Sequence, residues 1–317
     1  MNERDEPICE RVRAACAWVA ERSRAVRLDP EAVEPYAATL PSTETAAPAP
    51  SAAPPGADRE ARAAFVICLD AINFGSGWWP TIRKRPGQSG YFTIEAGLAE
   101  RFRARGPWSA SELARLGATE VAAVTGQDPS HPLMADFATA LNDVGRRVLA
   151  DHGGRFAAVI DAARGSAVAL AGLLAHWDAF ADESEYEGRA VPFFKRAQIT
   201  AADVDRIGLA ADGPEPSGLR EIDRLTAFAD NLVPHVLRVD GVLQLDPALE
   251  ARIEAGELLE HGSPAEVELR ACAVQAVELL AATSSLTPAA VDAALWNRGR
   301  APRYKSLPRP RSRNTAY

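Results

Sequence analysis

Several familiar features are absent from this sequence, and each absence excludes a class of function. It has five histidines in 317 residues, none at the spacing of metal ligands, so no metal centre is expected. It contains no GxSxG, HExxH, Walker or GxGxxG motif, which argues against several common enzyme classes. No apolar run approaches the ~18 residues of a membrane-spanning helix, and no signal-peptide core is present. The four cysteines are scattered without a CxxC pair, which is typical of buried thiols in a reducing cytoplasm.

The charge of the chain is acidic and unevenly distributed. A formal net charge of −8 argues against a protein that coats nucleic acid. Residues 298–317 nevertheless carry seven basic side chains and no acidic one. Two interpretations of this basic tail remain open, because it could be a solvated terminus or a segment that faces a phosphate group.

Hydrophobic periodicity predicts a mostly α-helical protein, and its 317 residues could form one large domain or two small ones. Apolar positions recur at helical spacing in most segments, and Asp29 followed by Pro30 is a typical helix start. Residues 63–74, AAFVICLDAINF, are the best strand candidate, and we expect a loop or hairpin from there to residue 92. Residues 41–57 are rich in Ala, Pro and Ser, which predicts an exposed loop.

The stretch LDAINFGSGWW places polar side chains at the end of the strand candidate, with aromatic residues directly behind them. Asp70, Asn73 and Phe74 fit two interpretations. They could form an Asx turn with core aromatics at a strand end. They could also form a ligand wall, in which an aromatic face stacks on a flat ring and a polar group bonds its edge.

Two further segments place charges among apolar residues. In VPFFKRAQI, Lys195 and Arg196 interrupt an apolar helix, and they either extend along its surface to solvent or point a cation into a pocket. In EVELRACAVQAVELL, Glu266 and Arg270 are four residues apart, and we interpret them as an ion pair that holds a core helix.

The segment LTAFADNLVPHVL places one acid at a predicted break in an apolar helix. Apolar residues recur at three- and four-residue intervals from Leu225 to Val236, which predicts one buried stripe. Pro234 has no N–H to donate to the carbonyl of Asp230, so the helix must bend or restart at the acid. The sequence alone leaves two roles open for Asp230: a helix cap, or a carboxylate that stabilises positive charge in an apolar site.

Taken together, these motifs and the terminal PRPRSRNTAY resemble the queuosine salvage family, whose members release the base queuine from queuosine 5′-monophosphate. The resemblance runs from about residue 63 to the C-terminus, and its most specific parts are FKRAQI and FADxxxPxVL in this order. It implies a single helical domain over residues 1–317, distantly like the helix-hairpin-helix DNA glycosylases. It also implies no cofactor, a small-molecule substrate and no stable complex with nucleic acid.

The resemblance also suggests roles for particular residues. Asp230 is the expected catalytic carboxylate, because hydrolysis of an N-glycosidic bond builds positive charge at C1′. Lys195 is expected either to orient Asp230 or to bind the 5′-phosphate. The base is expected to contact Asp70, Asn73, Phe74 and Phe228, and the further phosphate or sugar candidates are Arg311, Arg313 and Tyr317.

Two other classes of function remain possible from the sequence. One is an N-glycosylase that acts on a different modified nucleotide. The other is a helical protein without enzymatic activity, either a structural scaffold or an RNA- or tRNA-binding module that uses the basic tail.

Overall fold

The computed structural model describes residues 7–41, 56–210 and 218–317. Most of the Ala/Pro-rich stretch predicted to be a loop therefore lies outside the described residues. The helices are α1 (Ile8–Ala20), α2 (Pro30–Ala37), α3 (Arg59–Ala71), α4 (Gly90–Arg105), α5 (Ala110–Leu113), α6 (Ala118–Thr125), α7 (Pro132–His152), α8 (Phe156–Ala162), α9 (Ala167–Ala175), α10 (Lys195–Arg206), α11 (Leu232–Val239), α12 (Pro247–Glu254), α13 (Pro264–Thr283), α14 (Pro288–Arg298) and α15 (Pro302–Lys305). The strands are β1 (Val26–Leu28), β2 (Glu183–Tyr186), β3 (Arg189–Pro192) and β4 (Leu243–Leu245).

The mostly helical fold predicted from the sequence is confirmed, and local signals explain where many helices begin. The carboxylate of Asp29 accepts a hydrogen bond from the Glu31 N–H at 3.0 Å, so it caps α2 as predicted. The short helix α5 begins with a capping box formed by Ser109 and Glu112. At the start of α6 only the acid contributes: Glu120 accepts a hydrogen bond from the Gly117 N–H at 2.8 Å. The long helix α7 ends at Gly153, whose φ of 59° is in the left-handed region.

The strand predicted at residues 63–74 is wrong, because residues 63–71 belong to α3 and residues 72–74 follow its end. Asp58 caps the helix by accepting a hydrogen bond from the Ala61 N–H at 2.8 Å. Every residue from 63 to 71 is buried, so the helix has no polar face on which helical periodicity could appear. A short continuous apolar run fits a buried strand and a buried helix equally well. For the stretch expected to be a loop or a hairpin, the structure shows a loop that contains a 3₁₀ turn at Ser76–Trp78, and α4 begins at Gly90.

Two further sequence predictions need correction. The residues from Leu225 to Asp230 are not helical, although their apolar spacing is that of a helix. VPFFKRAQI is also not one helix, because Val191 and Pro192 belong to β3 and α10 begins only at Lys195. The described strands form two small antiparallel pairs, and the second one, β2 with β3, places Glu183 opposite Pro192. The first pair joins β1 to β4, with Val26 opposite Leu245. Both pairs are too short to give the alternating pattern by which strands are recognised in a sequence.

The helices that surround the functional site are held by tight packing around α3 and α13. Helix α10 packs against α3 and α9, and α13 packs against α1, α2, α11 and α14. Helices α5 and α7 approach so closely that a Cβ added at Gly145 would lie 2.3 Å from the backbone nitrogen of Ala114. The rigid elements that carry the site are therefore fixed from several sides.

Residues 298–317, here called the C-terminal segment, lie against the body of the protein. The side chain of Asn231 donates a hydrogen bond to the Pro310 carbonyl at 3.0 Å. A Cβ added at Gly77 would lie 1.9 Å from the carbonyl oxygen of Ser312, so the two backbones are in direct contact. Tyr317 is buried, with 4% of its surface exposed. The segment thus forms part of the wall of the site described below.

None of the helices in the described part of the chain has the length and apolar character needed to cross a membrane.

Candidate functional site

A cavity of about 510 Å³ lies between the end of α3, the start of α4, the helices α10, α11 and α14, and the C-terminal segment. This volume is in the range of small-molecule sites. Six of the residues predicted from the sequence line it: Asn73, Phe74, Lys195, Phe228, Asp230 and Tyr317. Three others, Asp70, Arg311 and Arg313, do not line it.

Asp230 lies immediately before α11 and caps its first turn. Its Oδ1 atom accepts hydrogen bonds from the Leu232 N–H at 2.8 Å and the Val233 N–H at 3.0 Å. Pro234 is the third residue of the helix, where an N–H has no intrahelical partner, so proline costs no hydrogen bond there. The capping role is therefore confirmed. It does not conflict with a catalytic role, because both capping bonds use the same carboxylate oxygen.

Lys195 begins α10 and directs its amine into the cavity. Phe194 precedes it in a left-handed conformation with a φ of 49°. The Lys195 side chain is buried, and its Nζ donates a hydrogen bond to the Asn73 carbonyl at 3.0 Å. Burial lowers the pKa of Lys195, and the negative charge of Asp230 opposes that shift. The interpretation that this lysine extends to bulk solvent is therefore wrong.

Arg196 is also buried, but it supports the wall instead of lining it. Its guanidinium donates a hydrogen bond to the carbonyl of Ala71, the last residue of α3. It donates a second one to the carbonyl of Ala316 at 3.3 Å. It lies 4.9 Å from the ring centroid of Phe74, which does line the cavity. One cation thus joins α10 to α3 and to the C-terminal segment.

A second buried arginine joins the segments that carry Asp230 and Lys195. Arg270 donates to the Ala229 carbonyl at 3.1 Å and to Oδ2 of Asp182 at 2.7 Å. The same Asp182 oxygen accepts the backbone N–H of Lys195 at 3.1 Å. Sequence reasoning identified the pair of Arg270 with Glu266, which is 4.0 Å apart, but not these closer contacts.

Carboxylates occupy another part of the wall. Asp203 lines the cavity and forms an ion pair with Arg206 at 2.6 Å. Burial is the main reason that the pKa of Asp203 rises to about 6. Asp70 lies behind it and is fully buried, and among the described residues neither of its carboxylate oxygens has a hydrogen bond of standard geometry. Burial and the nearby charge of Asp203 raise the pKa of Asp70, which favours its neutral form.

A third acid, Asp292, extends from α14 toward the Asp230 end of the cavity. It lines the cavity, and its Oδ1 accepts the backbone N–H of Phe228 at 3.0 Å. Burial, and secondarily the charge of Asp230, raise the pKa of Asp292. The contact holds the backbone of Phe228, whose ring also lines the cavity.

Basic side chains gather at the mouth of the cavity. Lys84, Lys305 and Arg309 line it, and the two lysines are exposed to solvent. Burial lowers the pKa of Lys84, and the charges of Arg309 and Lys305 lower it further, so the three cations are near one another. In the described part of the chain, none of the three forms a salt bridge with a carboxylate. Such a group is suited to bind an anion.

The two arginines predicted to face a phosphate have other contacts. Arg311 donates to the carbonyls of Trp79 and Gly256, the latter at 2.7 Å. Arg313 lies 4.7 Å from the ring centroid of Trp78. Sequence reasoning missed the cations at the mouth because they come from two segments more than 200 residues apart. The one signal in the sequence was the abundance of basic residues from position 298 onward, which was consistent with a segment that faces a phosphate group.

The fold and the site together define a class of protein: a helical protein with a cavity of small-molecule size, which is lined by a carboxylate and a buried lysine and has basic side chains at its mouth. The particular family follows from sequence comparison. A family profile described as "Queuosine salvage protein" matches residues 53–317, so the chain belongs to the queuosine salvage family.

Named relatives agree with this assignment. The chain is 33% identical over 310 residues to a queuosine 5′-phosphate N-glycosylase/hydrolase of Sphaerobacter thermophilus, with 94% of this chain and 95% of the relative covered. It is 30% identical over 294 residues to the protein of the same name from Mus musculus, which covers 84% of this chain and 83% of the relative. A relative from Dictyostelium discoideum, again with that name, is 27% identical over 265 residues, or 81% of this chain and 79% of the relative.

Proposed function

We propose that this protein hydrolyses the N-glycosidic bond of queuosine 5′-monophosphate and releases queuine. The observation that carries the proposal is the carboxylate of Asp230 beside the buried amine of Lys195 in a cavity of suitable size. Family membership and the printed names of the relatives support the reaction type. The four cysteines are all buried free thiols, which suits a protein that works in a reducing cytoplasm.

In this mechanism Asp230 acts on the sugar, by stabilising the positive charge that forms there. Cleavage of the bond between C1′ and the base nitrogen takes the bonding electrons to the base and leaves positive charge on C1′ and the ring oxygen. The oxygen of Asp230 that does not cap α11 faces that charge and stabilises it. Water then forms the new bond to C1′ and gives a proton to the carboxylate, while the departing base takes a proton from solvent.

Lys195 interacts with this carboxylate electrostatically. Its hydrogen bond to the Asn73 carbonyl at 3.0 Å fixes the direction of the amine. The attraction between the two opposite charges is strengthened by their apolar surroundings. Lys195 is therefore assigned to the reacting centre and not to the phosphate.

The base is held by aromatic faces and by an acid. Queuine is a 7-deazaguanine, so it lacks the N7 lone pair that an acid protonates in a purine. Binding of the leaving group must therefore contribute more. Phe74 and Phe228 stack on the ring system, with Asn73 beside them. Asp203 accepts hydrogen bonds from the guanine-like edge, because it is the carboxylate that lines the cavity. Asp70 lies behind Asp203 and acts on the base through it.

The 5′-phosphate binds at the mouth of the cavity. Lys84, Lys305 and Arg309 provide three positive charges that no salt bridge of the described residues neutralises, and a dianion would relieve their mutual repulsion. Arg309 also interacts with Asp230 electrostatically, so the phosphate end and the reacting end of the cavity are adjacent.

Release of queuine from the purified protein tests the proposal. With a chelator present and no cofactor added, queuosine 5′-monophosphate should be hydrolysed at least about tenfold faster, in kcat/KM, than the nucleoside, which corresponds to ~1.4 kcal/mol. Lys305→Met should reduce this preference, mainly by weakening the binding of the monophosphate. Lys195→Met should instead slow the hydrolysis of both substrates. Hydrolysis of a different modified nucleotide but not this one would reject the substrate, and hydrolysis of none would reject the enzymatic function.

A further inference from the structure

One buried ion pair contacts the backbone on both sides of the proposed reacting centre without lining the cavity. Arg270 is 1% exposed and lies on α13, and its side chain contacts Asp182, which is 2% exposed and precedes β2. The Arg270 Nη2 atom is 2.7 Å from Oδ2 of Asp182. Neither residue is among those that line the cavity.

The contacts of this pair reach the two residues that matter most for the chemistry. Arg270 Nε donates to the carbonyl of Ala229, the residue directly before Asp230, at 3.1 Å. Oδ2 of Asp182 accepts the backbone N–H of Lys195 at 3.1 Å. Each bond acts on the main chain next to, or at, a reacting residue, so the pair sets the separation of the two backbones.

The same guanidinium also contacts the wall of the cavity. It stacks over Phe193 at 3.9 Å and over Tyr317 at 4.5 Å, measured to the ring centroids. Tyr317 lines the cavity, and its hydroxyl donates to Glu266 at 2.6 Å. Burial by itself would lower the pKa of Arg270, but the carboxylates of Asp182 and Glu266 raise it overall, so the guanidinium stays charged.

We infer that Arg270 and Asp182 act as one positioning device that holds Asp230 and Lys195 at the distance catalysis requires. The inference rests on the proposed function. A pair that served stability alone would not need to bond the backbone at both reacting residues. A planar guanidinium can direct Nε to one acceptor and Nη2 to another at once, whereas a lysine ammonium in the same place is a point charge without this fixed geometry.

The test compares Arg270→Lys with a matched control, Arg59→Lys. Arg59 also donates to one carboxylate, Asp161 at 2.8 Å, and to one carbonyl, that of Leu209 at 3.2 Å, but it joins α3 to α8 away from the cavity. In Arg270→Lys, kcat should fall by about 10²-fold, the size expected from a misplacement of about 1 Å. The KM for queuosine 5′-monophosphate should change less than about threefold, because the groups that bind the base and the phosphate are untouched.

Hydrogen exchange of backbone amides supplies a readout that does not depend on activity. The N–H of Lys195, bonded to Asp182, and those of Leu232 and Val233, bonded to Asp230, should exchange faster in Arg270→Lys. In Arg59→Lys, kcat and these three amides should match the wild type. If wild type releases no queuine, the proposed function fails, and the exchange rates still decide whether the pair positions the two segments.

Asp182→Asn provides a second variant in case Arg270→Lys does not fold. It should lower kcat in the same way. The double variant should be no slower than the slower single variant, because residues that act as one unit are not additive. Additive losses, unchanged amide exchange, or equal losses of kcat in Arg270→Lys and Arg59→Lys would each overturn the inference.

Discussion

The substitution Asp230→Asn separates the capping role of this carboxylate from its proposed catalytic role. In the wild type, Oδ1 accepts the N–H groups of Leu232 and Val233. Asparagine retains an oxygen acceptor of the same size and caps helices about as well as aspartate, so the free energy of unfolding should change by less than about 0.5 kcal/mol. Asp230→Ala removes both bonds and should cost about 1 kcal/mol.

The effect of Asp230→Asn on turnover should be far larger than its effect on stability. A neutral amide cannot stabilise positive charge at C1′ or accept a proton from water. Removal of one preorganised electrostatic group typically costs 10²–10³-fold in kcat, or ~2.7–4 kcal/mol. Because Asp230 opposes the lowering of the Lys195 pKa, the substitution should also lower that pKa further.

Three measurements on both variants test this reasoning: kcat by detection of released queuine, queuine affinity by calorimetry, and the thermal midpoint. Queuine binding should survive in Asp230→Asn, because Phe74, Phe228 and Asp203 remain in place. Near-normal turnover in Asp230→Asn, together with a lowered midpoint in Asp230→Ala, would show that the carboxylate is only a cap and refute the catalytic role.

Three further predictions follow from groups around the site. The pKa of Asp203 is raised to about 6, so its carboxylate becomes protonated as the pH falls through 6. The Kd for queuine should therefore rise over this pH range. The variant Asp203→Asn should bind queuine weakly at every pH. Burial lowers the pKa of His235 from 6.5 to about 4, so below pH 6.5 the unfolded chain binds a proton that the folded chain does not. Stability should therefore fall between pH 6.5 and 4, by at most about 3 kcal/mol, and denaturant titrations of His235→Gln should show less of this fall. Gly77→Ala should displace the C-terminal segment and lower kcat, because the added Cβ would lie 1.9 Å from the carbonyl oxygen of Ser312. Gly172→Ala is the control: its Cβ would lie 3.8 Å from a methyl group, so this variant should keep wild-type activity.

Features that depend on neighbouring residues could be predicted from the chain alone. Asp29 followed by Pro30 correctly predicts the start of α2. The missing N–H of Pro234 correctly indicated a break before it. Helix caps and proline effects act over about one turn, so they can be read from the chain directly. Family motifs then identified Asp230 and Lys195, both of which line the cavity.

Features that depend on distant residues could be recognised only in the folded protein. Residues 63–71 of α3 are all buried, so they show no alternation of polar and apolar faces, and only the packing identifies them as a helix. Lys84 and Lys305 lie near each other at the mouth of the cavity, although they are far apart in the chain. The carboxylate nearest to Arg270 is that of Asp182, not that of Glu266 one helical turn away. Their placement depends on how the helices pack, because local spacing specifies which face a side chain occupies but not which distant element lies opposite that face.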